Sequence, residues 1–259
     1  MRQLTTALRS LLIILALTVS AYPGVQVAND QDVISRARSS YYNLPKKGFK
    51  GFAATIEPNW EIILAHTATP ENLKVFRAVQ FSMVVDASGA VTVRHEVGDG
   101  AAKPTLKPVV DRIHFDVQRL VTGFFNTWRM FMVGSPFPET ETKVKIENPD
   151  KQYRLLYTVQ SGEAAIIMTP DFLITEWNLS GPTSKRTVKP HFQKTDDGFL
   201  LTRYQGVFEP LGNGIKTTLD FNIEYQEVSG MKLPQKVRLS GMHGDQPVEA
   251  ELVFRVSGE

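Results

Sequence analysis

Five histidines, His66, His95, His114, His191 and His243, are the side chains most able to bind a metal or move a proton near neutral pH, but they are scattered. A zinc site needs paired ligands at turn or helical spacing. His95-Glu96 has no second histidine following it, His114-Phe115-Asp116 is not a ligand pattern, and the chain has no cysteine. One recognisable setting for a nucleophilic serine is a sharp elbow with glycine on both sides. Ser161-Gly162 and Ser180-Gly181 have glycine on one side only, as ordinary hairpin turns do. Asp196-Asp197 offers a carboxylate pair for acid and base work, yet aspartates before a glycine also serve a turn by bonding its backbone. Gly98-Asp99-Gly100 and Gly212-Asn213-Gly214 lack the strand-to-helix setting that makes a phosphate loop. The expectation is a protein that is not an enzyme, with no catalytic residue, no metal ligand and no cofactor.

The remaining constellation is apolar. Phe124, Phe125, Trp128 and Phe131 sit among Met130 and Met132 in one short stretch. Packing alone accounts for such a cluster, because a helix lying on a sheet needs large apolar residues. The same residues suit the lining of a cavity, since methionine and aromatic rings adapt to greasy ligands of variable shape. Phe124, Trp128 and Phe131 are therefore the expected contacts to an apolar ligand such as a lipid or an acyl chain.

The first residues carry an address. Arg2 and Arg9 precede the apolar run from Leu11 to Val19, and Val19-Ser20-Ala21 places small or slim residues where a signal peptidase requires them. That run is about half the ~20 residues that span a bilayer, so residues 1–21 read as a cleaved secretory signal and 22–259 as a single domain. Losing Arg2 and Arg9 brings the 29 basic residues level with the 27 acidic ones. A balanced chain without long charge runs argues against nucleic acid as partner and against electrostatic attraction to anionic membranes. Without cysteine there is no disulfide, no thiolate chemistry and no lipid-modified N-terminal residue. The expected location is outside the cytoplasm, the bacterial periplasm ahead of the extracellular medium.

Periodicity sets out the elements. Asp30 to about Leu44 reads as a helix, Phe49–Glu57 as a strand, and short helical turns follow Pro58-Asn59-Trp60 and Thr69-Pro70-Glu71. Phe81–Val85 and Val91–His95 flank Asp86-Ala87-Ser88-Gly89 as a hairpin. From Thr105 to Val133, Val110, Ile113, Val117, Leu120, Val121, Phe124, Trp128 and Phe131 recur at steps of three and four, which predicts one long amphipathic helix with a break possible at Gly123. Within it Asp116 is spaced to pair with both Arg112 and Arg119.

After Pro138 the helical period gives way to nine expected strands separated by turn residues such as Ser161-Gly162, Asp196-Asp197-Gly198 and Gly212-Asn213-Gly214. Short connections make neighbours antiparallel. In the last strand Val248, Ala250, Leu252, Phe254 and Val256 face one way, and Glu249, Glu251 and Arg255 the other, where Glu251 is expected to be replaceable at little cost. The predicted fold is α+β: a large curved antiparallel sheet, a half-barrel meander, with an N-terminal helix and the long central helix on its concave apolar face.

Asp197-Gly198-Phe199-Leu200-Leu201, then Tyr225-Gln226-Glu227-Val228 and Gly230-Met231-Lys232-Leu233-Pro234 with Val237, resemble the Tyr-Gln … Gly-x-x-Leu-Pro strand pair of LolA-like carriers and related outer-membrane lipoprotein-sorting domains. The order of elements resembles theirs as well. The resemblance implies a half-open barrel capped by helices that shields lipid or lipoprotein acyl chains, and it carries over no site residue. The leading expectation is a soluble periplasmic carrier or chaperone for an apolar ligand. The alternatives are an envelope module that binds another protein, and a hydrolase whose site is built from scattered residues.

Overall fold

The computed structural model describes residues 30–65, 69–99, 101–139 and 141–257; the expected signal segment and His66 lie outside them. The chain runs α1 (Asp30–Ser39), β1 (Gly51–Pro58), α2 (Trp60–Ile63), α3 (Pro70–Arg77), β2 (Val79–Asp86), β3 (Val91–Val97) and α4 (Lys107–Met132). Nine further strands follow: β4 (Lys145–Glu147), β5 (Tyr153–Val159), β6 (Gly162–Met168), β7 (Ile174–Ser180), β8 (Ser184–Thr195), β9 (Gly198–Pro210), β10 (Thr217–Val228), β11 (Met231–His243) and β12 (Gln246–Val256). Among the described residues no helix is long and apolar enough to cross a membrane.

All twelve strands form one open antiparallel sheet in the order β3-β2-β1-β12-β11-β10-β9-β8-β7-β6-β5-β4. The meander from β4 to β12 is extended at its far side by β1, which pairs with β12 from Ala54↔Val256 to Pro58↔Leu252. Register shifts at Ile167/Met168, His191/Phe192 and Glu224/Tyr225 mark bulges. An extra residue on one strand bends it and increases its twist, so three bulges help the sheet to curl. Helix α4 connects the two edge strands, β3 and β4, across the concave side.

Helix α4 is continuous through Gly123 and spans about 39 Å at the standard rise. Its buried stripe, from Val110 and Ile113 through Val117, Val121 and Phe124 to Trp128 and Phe131, packs on the sheet. Phe124 lies 6.0 Å from Phe221 and 6.2 Å from Phe254 between ring centroids, which puts β10 and β12 directly beneath the helix. The fold class read from the sequence is the one observed.

Helix α1 stops five residues short of the expected end. Tyr42 N–H donates to the Phe199 carbonyl at 3.2 Å and Phe199 N–H to that of Ser40 at 2.8 Å, so β9 takes the backbone groups that another helical turn would have used. The Tyr41 hydroxyl donates to the Phe172 carbonyl at 2.7 Å and accepts from Ile174 N–H at 2.6 Å, deep enough that burial raises its pKa. Gly198 is what permits this docking. Its φ is +110°, and a Cβ there would come within 2.6 Å of the Ser40 carbonyl oxygen.

The Tyr-Gln and Leu-Pro residues also have a structural use. Tyr225 sits at the β10 bulge opposite Pro234, which has no N–H to give the ladder. The Gln226 side-chain amide donates to the carbonyls of Pro234 at 3.1 Å and Phe254 at 3.0 Å, tying β10 to β11 and β12 where the ladder is interrupted.

On β12 the alternation holds: Ala250, Leu252 and Phe254 are buried and Arg255 is exposed. Glu251, however, is not a bystander. Its carboxylate accepts from Arg238 Nε at 2.6 Å and from Asn59 Nδ2 at 3.1 Å, and these two bonds hold its pKa below the usual carboxylate range. Asn59 in turn caps α2, accepting from Ile62 N–H at 3.3 Å. The expectation that Glu251 is replaceable is therefore corrected, because its removal would loosen the cap that sets Trp60.

Candidate functional site

Beside the N-terminal half of α4 the concave face is not filled. A cleft of about 1240 Å³ opens there, between one flank of the helix and the sheet. Three walls enclose it. Helix α4 contributes Val109, Ile113, Val117 and Leu120; the α2–α3 corner contributes Trp60, Ile63, Leu64 and Phe76; the floor is Phe208, Leu219, Phe221, Leu239, Val248 and Ala250 from β9 to β12.

The sequence leaves this region hollow through missing side chains. The paired register places Val188, Gly206, Leu219, Gly241 and Val248 in one row across β8 to β12. Inward residues of a sheet share a face, so Gly206 and Gly241 remove two side chains from the concave floor. A Cβ built at Gly206 meets nothing within 4 Å, and the same is true of Gly123 on the helix above. At Gly241 the reason is different: a Cβ would collide with the Thr218 carbonyl oxygen of β10. In the adjacent row Phe221, Leu239 and Ala250 still border the cleft, while Tyr204 and Pro190, also buried, lie off its wall, and there the space ends.

The three expected ligand contacts lie past that closure. Phe124 and Trp128 are 0% exposed and Phe131 is 2% exposed, and none of them is on the wall of the cleft. Trp128 packs edge-on against Phe125 at 5.4 Å, and Phe131 against Phe192 at 5.7 Å. Phe221 is the shared partition, with one side toward the cleft and its ring 6.0 Å from Phe124. The Trp128 indole N–H and the Tyr204 hydroxyl are enclosed here without a hydrogen-bond partner; Tyr225 and Thr127, the polar groups that face them, stand outside bonding geometry.

Polar groups also line the cleft. Thr217 and His243, opposite one another on β10 and β11, are joined through Oγ1 and Nδ1 at 2.8 Å. Arg112 and Asp116 form an ion pair at 2.8 Å. Asp116 was spaced to serve Arg119 as well, and the structure gives it to Arg112 alone.

Away from the cleft, His95 of β3 and His114 of α4 face each other with ring centroids 4.4 Å apart, and His114 is parallel to Phe81 at 6.4 Å. Burial, then the proximity of His95, lowers the His114 pKa below its ordinary 6.5. Among the described residues no group of three or more potential ligands could hold a metal ion. A folded state that disfavours protonation is at full strength above the unfolded pKa of about 6.5 and loses stability as pH falls through the lower folded value. Urea melts at stepped pH should show that decline, and His114→Phe should flatten it; an unchanged slope in the variant would assign the decline to other groups. Of the remaining motifs, Asp197 pairs with Lys47 at 2.8 Å, and Gly162 and Gly181 shape the strand ends.

Comparison with family models, with curated proteins and with solved structures finds no match to this chain.

Proposed function

We propose that the protein is an exported carrier or chaperone that shelters a lipid, a lipoprotein acyl chain or another apolar ligand in the cleft beside α4, working in the periplasm. The observation that carries this reading is the cleft itself: about 1240 Å³, walled mainly by aliphatic and aromatic side chains and open to solvent. Small-molecule sites run to roughly 300–1,000 Å³, so this one has room for an extended chain. Each methylene taken out of water contributes about 0.8 kcal/mol. Some ten methylenes thus gain roughly 8 kcal/mol, enough to offset the lower part of the ~4–15 kcal/mol cost of association. The signal-like residues 1–21 support export, and export would place such a carrier between membranes.

The test is a titration with a neutral long-chain fluorescent probe, followed by thermal unfolding with and without it. Saturable binding and a raised melting temperature are expected, since whatever binds only the folded state stabilises it. Linear, unsaturable uptake with an unmoved melting temperature would contradict the carrier reading.

A further inference from the structure

The charged side chains around the cleft do not cancel. Arg112, Asp116 and Arg119 line it from α4, Arg186 from β8 and Glu249 from β12. Arg112 and Asp116 neutralise one another in their ion pair. Glu249 lies between Val248 and Ala250 on β12, and because successive residues of a strand point to opposite faces its carboxylate belongs to the outer side of the sheet. Arg186 shares the inner parity of Val188 and Pro190, both buried. Arg119 and Arg186 are thus left on the cleft side, exposed, and neither has an acidic partner among the described residues.

Arg186 is also held in place. Its guanidinium carbon sits 5.5 Å from the centroid of the Phe208 ring, and Phe208 is both its paired neighbour on β9 and part of the cleft floor. Stacking on a ring face fixes a guanidinium while leaving its in-plane N–H groups unspent. His243, the remaining titratable group on the lining, already has its Nδ1 engaged by Thr217.

Resting on the carrier reading, we infer that the ligand is an amphiphile with a long apolar chain and an anionic head, a carboxylate or a phosphate. Its chain lies over Leu120, Leu219 and Leu239, and its head is received by Arg119 from the helix and Arg186 from the sheet. Guanidinium is the group suited to this, because its fork of donors matches two oxygens of either head at once. A neutral chain gains only from the walls, and a cationic one is repelled at the rim.

The experiment compares ligands that share one chain. Hexadecanoate, hexadecyl phosphate, hexadecanol and hexadecyltrimethylammonium, with inorganic phosphate as the head alone, are titrated calorimetrically into the exported protein and into an Arg119→Gln/Arg186→Gln double variant. Both arginines are exposed and without acidic partners, and the variant gives up only the stacking of Arg186 on Phe208, so it should melt within a few degrees of the parent. Hexadecanoate and hexadecyl phosphate should bind about tenfold or more tighter than hexadecanol, as two charge-assisted contacts allow. That preference should shrink at about 1 M salt and disappear in the double variant, which keeps its affinity for hexadecanol. A stronger response to hexadecanoate, or to hexadecyl phosphate, tells the two head groups apart. Equal binding of hexadecanol and the anions, tight binding of the ammonium, or an undiminished preference in the variant overturns the head-group assignment and leaves the carrier standing. Binding of inorganic phosphate as tight as that of hexadecyl phosphate overturns it too. Failure of every long chain to bind removes the carrier reading and this one with it.

Discussion

Replacing Trp128 with alanine is expected to cost about 3–5 kcal/mol of stability, whether or not a ligand is present. The side chain is 0% exposed, wedged between the helix and the sheet, and its ring is 5.4 Å from Phe125. Truncation leaves a void that packed neighbours can only partly fill. One term opposes the loss: the indole N–H is enclosed without a partner, and an unmet buried donor costs about 1–3 kcal/mol, which the truncation would relieve. The size of the ring decides the sign, and the cavity wins. The same bookkeeping separates two variants. Trp128→Phe keeps most of the ring and discards the unmet N–H, so its cost should stay below about 1.5 kcal/mol. Urea unfolding of both variants measures this. A Trp128→Ala loss under about 1 kcal/mol, or equal losses in both, would show that the site is looser than the packing implies.

Filling the cleft should do the opposite: abolish binding and spare the fold. Gly123 lies on the helix wall of the cleft, and a side chain there meets open space. Glycine inside a helix costs about 1 kcal/mol relative to alanine, so Gly123→Ala should raise stability by roughly that amount. Gly123→Trp keeps part of the same helical gain and projects an indole into the space that the ligand needs. Affinity for a neutral chain should fall by about tenfold or more, the equivalent of 1.4 kcal/mol, with no loss of melting temperature. An unchanged affinity in a folded Gly123→Trp variant would place the ligand elsewhere.

The sheet was legible because its strands are punctuated. Turn clusters such as Asp196-Asp197-Gly198 and Gly212-Asn213-Gly214 bound nearly every strand after Pro138, and short connections leave few ways to pair them. What local pattern could not show is the pairing of β1 with β12, whose partners are about 200 residues apart in the chain. It could not show the end of α1 either: Ser39 is set by pairing of Ser40 and Tyr42 with Phe199 and by capture of the Tyr41 and Tyr42 hydroxyls by Ile174 and Lys232, all distant in the chain.

The site was legible only in part, for a related reason. Val110 to Val121 and Phe124 to Phe131 share one helical period, and nothing in that period says which turns are roofed over and which are open. The difference lies opposite the helix. Tyr204 and Phe221 fill the floor beneath Phe124, while Gly206 and Gly241 leave it low one row away. Large aromatic residues drew attention to the packed end, and a glycine in the middle of an amphipathic helix was the quieter signal of the open one. Arg119 and Arg186 were hidden similarly, since an exposed arginine looks the same in sequence whether or not a cleft lies beside it.

The most direct measurement is a native mass spectrum of the exported protein purified without detergent from its own host. The account predicts a population heavier than the bare chain by the mass of one long-chain amphiphile, lost on gentle collisional activation and absent from Gly123→Trp. A spectrum of bare chain alone, from protein that also fails to take up any added long-chain compound, would contradict it.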